Sequence, residues 1–355
     1  MAHTHPTAGA HRHHGGRGLD AEAEVVARQL AEAGEWAGEH PAGPAASSGR
    51  LSERLLEVAM ARPGFKAELF RFVDAFPAMT NDADVLRHVE EYLAGDASPR
   101  LLGAGIGVAG AVPLGGALTA TIARRAIARM ARQFIIGRTP ADAAAGLGDL
   151  WRAGSAHTVD LLGEKTVTEA DADRYAARVV ELVTVLADAA AGWEPAPTLE
   201  ADDRGSLARV NVSIKPTALA AHYEPLSRAV GLEGAKARIR PILRLAHDRG
   251  AHVQFDMEHA DVKDLTLELA RDLLGEDEFA DVQAGVVIQA YLRDSRDDLA
   301  DVIAWSGRRA VPVTVRLVKG AYWDTEVVQA RAEGWPVPVY ERKVEADANF
   351  ERCAG

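Results

Sequence analysis

The sequence predicts an α/β fold in which an incomplete (βα)8 TIM-like barrel of about five strands follows an all-helical region. The chain has 355 residues, enough for a barrel-sized domain and a further helical part. From residue 208 onwards, short β-branched runs alternate with segments of helical period, which is typical of a parallel sheet. Polar residues recur at the carboxyl ends of these runs, where barrels build their active sites.

We expect three regions along the chain. Residues 1–18 form a His-rich tail that is predicted to be disordered, although its five histidines could also chelate a metal. Residues 19–200 are predicted to be a helical arm or linker domain, because their apolar residues follow a helical period. Residues 201–355 are predicted to form the partial barrel. No apolar stretch of a secretory signal follows the tail.

The helical region contains two informative segments besides its amphipathic helices. Thr168 and Asp171 form a predicted helix cap before a long apolar stripe. Residues 160–164 are predicted to close a preceding helix, with a glycine near its carboxyl end. The uncharged segment Leu101–Ala123 is long enough for a membrane span, but its six glycines and one proline favour a loop or a buried packing segment.

The barrel region contains five predicted strands, each followed or preceded by a helical segment. The strands are apolar on both faces or nearly so, as helix-covered strands require, and they lie at residues 208–215, 250–256, 284–292, 311–322 and 337–340. Their last polar residues are about 24 to 41 residues apart, against about 31 in a regular barrel. A doubly wound sheet shares such spacing, but its Gly-rich phosphate turn is absent.

The last residues of the sequence, 343–355, are predicted to begin an amphipathic helix. Its inner face would carry Val344, Ala348 and Cys353. No stop signal follows, so the sequence indicates a chain that is cut within a domain and a barrel that lacks three strands.

Composition excludes several classes of function. The formal net charge is −12, which argues against nucleic acid as the main partner, since phosphate binding needs clustered Lys and Arg. The one cysteine, Cys353, excludes a disulfide scaffold and a cysteine-built metal site. We therefore expect a reducing, cytoplasmic compartment.

Lys215, Asp256 and Glu258 are the first candidate site residues. Lys215 ends a strand and suits an anionic substrate, although a solvated lysine at a strand end is the alternative. Asp256 and Glu258 are predicted to share one side of a strand because they are two residues apart. They could act as acid and base, or bind a metal with His259, but these groups do not fill a metal site.

Residues 315–324, VRLVKGAYWD, concentrate charge and aromatic rings in one segment. Two cations, Arg316 and Lys319, a glycine and two aromatic residues suit a planar, phosphate-bearing cofactor. A structural Arg–Asp pair with buried aromatic rings is the alternative interpretation.

Five segments, in this order and spacing, resemble the flavin-dependent proline dehydrogenase domain: SIKPTAL, FDMEH, VVIQAYLRD, VRLVKGAYWDTE and PVPVYERK. Upstream, MARQFIIG and HTVDLLGEKTVTEADADRY are similar to the segments before that domain in bifunctional proline utilization proteins. The resemblance runs from about residue 50 to the end of the chain.

The resemblance implies an FAD-containing (βα)8 barrel that oxidises L-proline to 1-pyrroline-5-carboxylate by hydride transfer and passes the electrons to a membrane quinone. It implies that Lys215 binds the proline carboxylate, that Asp256 and Tyr322 shape the pocket, that Arg316 lies beside flavin N5 and that Glu164 pairs with an arginine to gate the site. The implied FAD contacts, besides Arg316, are Gln289, Val318, Gly320, Ala321, Trp323 and Lys343.

The resemblance is incomplete in two respects. Glu341 stands where family members usually have a threonine that contacts FAD. The three strands after residue 355, with their carboxylate-binding arginines, and an aldehyde dehydrogenase half would lie outside this sequence. A peripheral membrane contact and a homo-oligomer are compatible with the resemblance.

Two other functions are compatible with the sequence. The first is a truncated, inactive chain that serves as a helical interaction piece. The second is another barrel enzyme with a phosphate ligand, which would leave the segment VRLVKGAYWD unexplained.

Overall fold

The structure is a computed structural model that describes residues 68, 71–72, 75, 79, 81–93, 135–162 and 165–355. The chain divides into two compact units. One contains residues 139–355, and the other contains residues 40–138.

In the second unit, helix α1 spans Asp82–Leu93, within the region that the sequence predicts to be helical. It begins after Asn81, whose side-chain oxygen accepts a hydrogen bond from the Asp84 amide at 2.9 Å. Val85 and Val89 are buried one helical turn apart, which fixes the inner face of the helix. The other helices predicted between residues 19 and 134 lie largely outside the described residues, as do Leu101–Ala123 and the His-rich tail.

The first unit contains the sheet and most of the described helices. Its helices are α2 (Pro140–Arg152), α3 (Glu169–Ala190), α4 (Pro197–Glu200), α5 (Arg228–Arg249), α6 (Lys263–Leu274), α7 (Ser295–Ser306), α8 (Trp323–Glu333) and α9 (Lys343–Ala354). Its strands are β1 (Val159–Asp160), β2 (Ala201–Asp202), β3 (Gly205–Ser206), β4 (Asn211–Ile214), β5 (His252–Phe255), β6 (Ala284–Gln289) and β7 (Thr314–Val318).

Five strands form one parallel sheet in the order β1-β4-β5-β6-β7. Helices connect consecutive strands, as parallel pairing requires. Strands β2 and β3 form a separate two-stranded antiparallel hairpin. The sheet and its helical connections confirm the predicted α/β class, and they bring the carboxyl ends of all five parallel strands to one edge.

Two of the strand predictions were wrong, although the number of strands in the main sheet is as predicted. Strand β1 lies in the segment that was predicted to close a helix, because α2 already ends at Arg152 and Val159 pairs with Val212 of β4. Residues 337–340 form only a single antiparallel bridge between Leu292 and Val339. Proline at 336 and at 338 removes the amide donors that a ladder needs.

Helix α3 has the predicted cap and apolar stripe. The Thr168 hydroxyl accepts a hydrogen bond from the Asp171 amide at 3.2 Å. The buried face consists of Ala172, Tyr175, Val179, Leu182, Val183, Leu186 and Ala190. This face packs against α2 and α5. The boundary at residue 200 between a helical region and a barrel stays a prediction, although residues 139–200 pack in the same compact unit as the sheet.

Helix α9 confirms the amphipathic helix predicted for the last residues. Ala348 is buried, with Val344 packed against it, while Cys353 is partly exposed. Within the residues that the structure describes, no helix combines the length and apolar character needed to cross a bilayer.

The strands are not apolar on both faces, which corrects the sequence prediction. Ser213, His252, Gln254 and Gln289 are buried polar residues on the sheet. Register places Ser213 beside Gln254, so these polar groups face the same side. The period-two alternation is hard to see in the sequence because the runs are only four to six residues long.

Helix α5 packs unusually closely against the loop after β4, which generates a stability prediction. A Cβ at Gly231 would lie 2.5 Å from the His222 carbonyl oxygen, whereas a Cβ at Gly234 would lie 3.4 Å from its nearest neighbour. We expect Gly231→Ala to lower the free energy of unfolding by about 1–3 kcal/mol because of overpacking.

Gly234→Ala is the matched control on the same helix. It should raise the free energy of unfolding by about 0.5–1 kcal/mol, because alanine loses less conformational entropy than glycine. Denaturant titrations of both variants measure the difference. Similar effects of the two substitutions would contradict the close packing at Gly231.

Candidate active site

Lys215 lies at the centre of a charged cluster at the carboxyl edge of the sheet. It directly follows β4, and its Nζ donates to Asp160 Oδ1 and Oδ2 at 2.6 Å each and to Asp256 Oδ2 at 2.9 Å. Asp160 ends β1, and Asp256 directly follows β5. Parallel pairing therefore brings three residues that are far apart in the sequence to one point.

Arg316 lies on β7, at the opposite end of the strand order from β1, and its side chain belongs to the same cluster. Its guanidinium donates to Asp256 Oδ1 at 3.1 Å and to the Ser213 hydroxyl at 2.6 Å. Asp256 thus bridges the two cations Lys215 and Arg316. Its side chain is only 13% exposed, so both ion pairs compensate a desolvated carboxylate.

The two carboxylates around Lys215 change its protonation. Partial burial acts to lower the pKa of Lys215, but the charges and hydrogen bonds of Asp256 and Asp160 outweigh it and raise that pKa above its ordinary value. Lys215 therefore stays an ammonium group at neutral pH and keeps its three donors.

Glu258 does not share a strand face with Asp256, which corrects the prediction from their spacing. Strand β5 ends at Phe255, so both residues lie in the loop that follows it. The Glu258 carboxylate accepts hydrogen bonds from the Thr217 amide at 3.2 Å and from the Thr217 hydroxyl at 2.7 Å. Burial raises the pKa of Glu258 in spite of these bonds. In the described part of the chain, His, Cys, Asp and Glu side chains form no group of three that could hold a metal ion.

Tyr322 and His259 form an aromatic pair next to the charged cluster. Their ring centroids are 4.2 Å apart, and His259 Nδ1 lies 3.4 Å from the buried Glu326 carboxylate. Glu326 also accepts a hydrogen bond from the Ala260 amide at 2.8 Å. Burial raises the pKa of Tyr322, and the nearby Glu258 charge raises it further, so the phenol stays neutral and can donate a hydrogen bond.

A second charged group lies where β7 is followed by α8 and α9. The buried Asp347 carboxylate pairs with Lys319 at 2.5 Å and with Lys343 at 2.6 Å. Burial acts to raise the pKa of Asp347, but the two lysines lower it below its ordinary value. Lys343 at the start of α9 and Lys319 after β7 leave one net positive charge beside Asp347, which suits an anion such as a phosphate.

Gln289 has a buried side-chain oxygen next to the charged cluster that is without a hydrogen-bond partner in the described residues. Its Nε2 donates to the Glu258 carbonyl oxygen at 3.2 Å, while its buried Oε1 has no hydrogen-bond partner. Native proteins rarely leave such an acceptor unpaired. The atom is therefore available to accept a hydrogen bond from a bound ligand.

The remaining predicted cofactor residues surround the end of β7. The Val318 carbonyl oxygen accepts a hydrogen bond from the Ala290 amide at 2.7 Å, and Ala321 is exposed. Gly320 has φ +132°, and a Cβ there would lie 2.4 Å from the Tyr291 ring. Glycine is thus required here by the Tyr291 ring. Trp323 is 40% exposed, and its indole donates to the Tyr340 carbonyl oxygen at 2.9 Å.

The structure brings together some of the predicted site residues and adds others. Asp256 contacts both Lys215 and Arg316. Tyr322 lies close enough to feel the charges of Lys215 and Asp256. Glu164 lies outside the described residues. Sequence reasoning missed Asp160 and Ser213. The β-branched pair Thr158 and Val159 before Asp160 is the signal that could have indicated a short strand.

The comparisons with known proteins identify the family. The family model described as proline dehydrogenase matches residues 143–355, which is more than half of the chain and includes the whole charged cluster. The chain belongs to the proline dehydrogenase family. A second model, the proline utilization A (PutA) N-terminal domain, matches residues 20–134. Membership confirms the resemblance in the sequence.

Relatives of two lengths match this chain. The bifunctional protein PutA of Klebsiella aerogenes is 34% identical over 230 residues, which cover 63% of this chain and 16% of that protein. The proline dehydrogenase of Deinococcus radiodurans is 29% identical over 231 residues, which cover 65% of this chain and 62% of that protein. The chain thus spans only a small part of its bifunctional relatives.

One solved structure is similar in fold to this chain. Proline utilization A from Bdellovibrio bacteriovorus, inactivated by N-propargylglycine, superimposes with a TM-score of 0.76 at 35% identity. The match covers 95% of this chain and 32% of that protein.

His252, beneath Arg316, generates a pH prediction. Burial lowers the pKa of its imidazole from 6.5 to about 4, although a hydrogen-bond contact with Gln254 at 3.3 Å opposes this. Between these two pH values the unfolded chain binds a proton that the folded chain does not. The free energy of unfolding should therefore decrease by about 3 kcal/mol from this group as the pH falls from above 6.5 to 4.

We expect His252→Gln to remove that part of the pH dependence. Unfolding titrations at several pH values measure it, and substitution of the exposed His247 by glutamine is the control that should keep the wild-type curve. A His252→Gln variant whose stability follows the wild-type pH curve would show that His252 titrates normally in the folded protein.

Proposed function

We propose that this chain forms the catalytic part of a flavin-dependent proline dehydrogenase. It oxidises L-proline to 1-pyrroline-5-carboxylate with FAD as cofactor, and a quinone accepts the electrons. The observation that carries the proposal is the Asp256-bridged pair of cations, Lys215 and Arg316, at the carboxyl edge of the sheet in a member of this family.

The charged cluster is complementary to a zwitterionic amino acid. Lys215 and Arg316 supply two positive charges, and Asp160 and Asp256 supply two negative ones. Lys215 binds the proline carboxylate, because its ammonium lies at the end of β4 and remains protonated. Arg316 is held rigidly by Asp256 and Ser213, so it can be positioned beside a cofactor without a loss of side-chain entropy on binding.

The residues present fit FAD. Gln289 Oε1 offers an unpaired acceptor to a ring N–H, and Lys343 and Lys319 offer charges to a phosphate. The further contacts are Arg316, Val318, Gly320, Ala321 and Trp323. When bound, the flavin supplies the acceptor for a hydride from the substrate carbon. The protein supplies orientation and charge.

Tyr322 covers the substrate side of the site. Its ring packs on His259, which is anchored to Glu326, and its neutral hydroxyl is available as a donor. An aromatic ring at this position helps to exclude water from the bound amino acid. Glu164, which the resemblance implies as a gate, a peripheral membrane contact and a homo-oligomer all stay predictions.

Lys215→Ala in the complete, FAD-containing protein tests the proposed function. Loss of a charge-assisted hydrogen bond of about 1.5–3 kcal/mol should raise the KM for L-proline about ten- to hundredfold. Proline-dependent reduction of a quinone measures it. Lys236→Ala is the matched control and should keep the wild-type KM. It removes a lysine on α5 that pairs with Asp272 on α6.

Two results would count against the proposal. A complete wild-type protein that contains FAD but does not oxidise L-proline would exclude the activity. An unchanged KM in Lys215→Ala would remove Lys215 from the substrate site and indicate a purely structural ion pair.

A further inference from the structure

The ammonium group of Lys215 has at most one N–H donor left for a substrate. An ammonium has three N–H donors, and Lys215 Nζ contacts three carboxylate oxygens, two on Asp160 and one on Asp256. A substrate carboxylate can therefore accept more than one hydrogen bond from Lys215 only if it replaces one of these carboxylates.

The two carboxylates are not equally easy to replace. Asp256 is 13% exposed and is also held by Arg316, so its release would leave a buried charge and an unpaired guanidinium. Asp160 is 47% exposed. Among the ion pairs of the described residues, Lys215 is the cation that Asp160 contacts. Asp160 is thus the partner that yields.

The backbone at Asp160 is fixed, so the yielding group stays close to Lys215. Asp160 pairs in register with Ser213 of β4. The buried Tyr175 hydroxyl donates to the carbonyl oxygen of the next residue, Leu161, at 3.3 Å. Only rotation of the Asp160 side chain is needed to free Lys215, and a freed carboxylate remains at the mouth of the site.

We infer that Asp160 is a substrate-binding residue that selects amino acids over simple carboxylates. The incoming carboxylate takes its place on Lys215, and the displaced Asp160 carboxylate pairs with the substrate ammonium on the adjacent carbon. This inference rests on the proposed function, because it assumes that Lys215 binds the carboxylate of a cyclic amino acid.

Glu258 is the other acidic side chain that could bind the ammonium, and its contacts make it less suitable. Its two oxygens already accept hydrogen bonds from the Thr217 amide and hydroxyl. Asp160 is free of such hydrogen bonds once Lys215 is released.

The inference predicts discrimination between two ligands of nearly equal shape. L-proline carries an ammonium, whereas tetrahydrofuran-2-carboxylate has an ether oxygen in its place. The ether ligand brings a carboxylate but no ammonium group of its own. The displaced Asp160 carboxylate then lies close to a like charge without a new positive partner.

Asp160→Asn in the complete, FAD-containing protein is the test. We expect the KM for L-proline to rise about ten- to hundredfold, because a charge-assisted contact is lost. The inhibition constant of tetrahydrofuran-2-carboxylate should stay unchanged or fall. Asp160→Glu, which keeps the charge, should retain the wild-type ratio of the two constants.

Asp188→Asn is the matched control, because Asp188 is an exposed aspartate on α3 that pairs with Arg249. It should leave both constants unchanged. Equal weakening of the two ligands by Asp160→Asn would assign Asp160 a structural role and overturn the inference, as would no change in either. A wild-type protein that does not oxidise L-proline would instead refute the proposed function, and the inference with it.

Discussion

The site depends on one buried carboxylate, that of Asp256. It lies at the carboxyl end of β5 between a lysine that follows β4 and an arginine on β7. A desolvated carboxylate is tolerated only when it is paired, and unpaired buried cations are equally costly. The three charges therefore hold one another in place, and the parallel sheet supplies the positions from which they meet.

The polar inner face of the sheet supports this arrangement from below. Ser213 fixes one nitrogen of Arg316, and the neutral His252 contacts Gln254 in the next layer. A neutral imidazole beside Arg316 adds no repulsion to a site that already contains two cations. Burial of the polar strand face lowers the pKa of His252, and the nearby Arg316 charge lowers it further. The same face supplies Ser213, which holds the Arg316 side chain in place.

The sequence was sufficient for the fold class and for three members of the charged cluster, but not for the short or irregular parts of the chain. The long helices α3 and α5 have complete apolar stripes, and Lys215, Asp256 and Arg316 follow clear strand patterns. The position of Asp160 at a strand end could not be predicted, because a two-residue strand has no measurable period. The segment at 337–340 has the apolar residues typical of a strand, but Pro338 within it and Pro336 before it prevent a regular ladder.

The contacts between residues distant in sequence could not be predicted from local pattern at all. The pairing of Asp160 with Lys215 spans 55 residues and depends on the register between β1 and β4. The unpaired oxygen of Gln289 likewise becomes visible only when its neighbours are known. The Asp160–Lys215 contact and the unpaired Gln289 oxygen are three-dimensional evidence for a binding site. The motif at 315–324 alone gives only candidate residues.

Reduction of the bound flavin by L-proline in the absence of any other acceptor tests this account most directly. In the complete wild-type protein, anaerobic addition of L-proline should bleach the visible flavin absorbance. In Asp256→Asn, which leaves Lys215 and Arg316 without their shared carboxylate, the flavin should remain bound but bleach at least tenfold more slowly, by the ordinary worth of one charge-assisted contact. Equal bleaching rates in the two proteins would contradict the central role of Asp256.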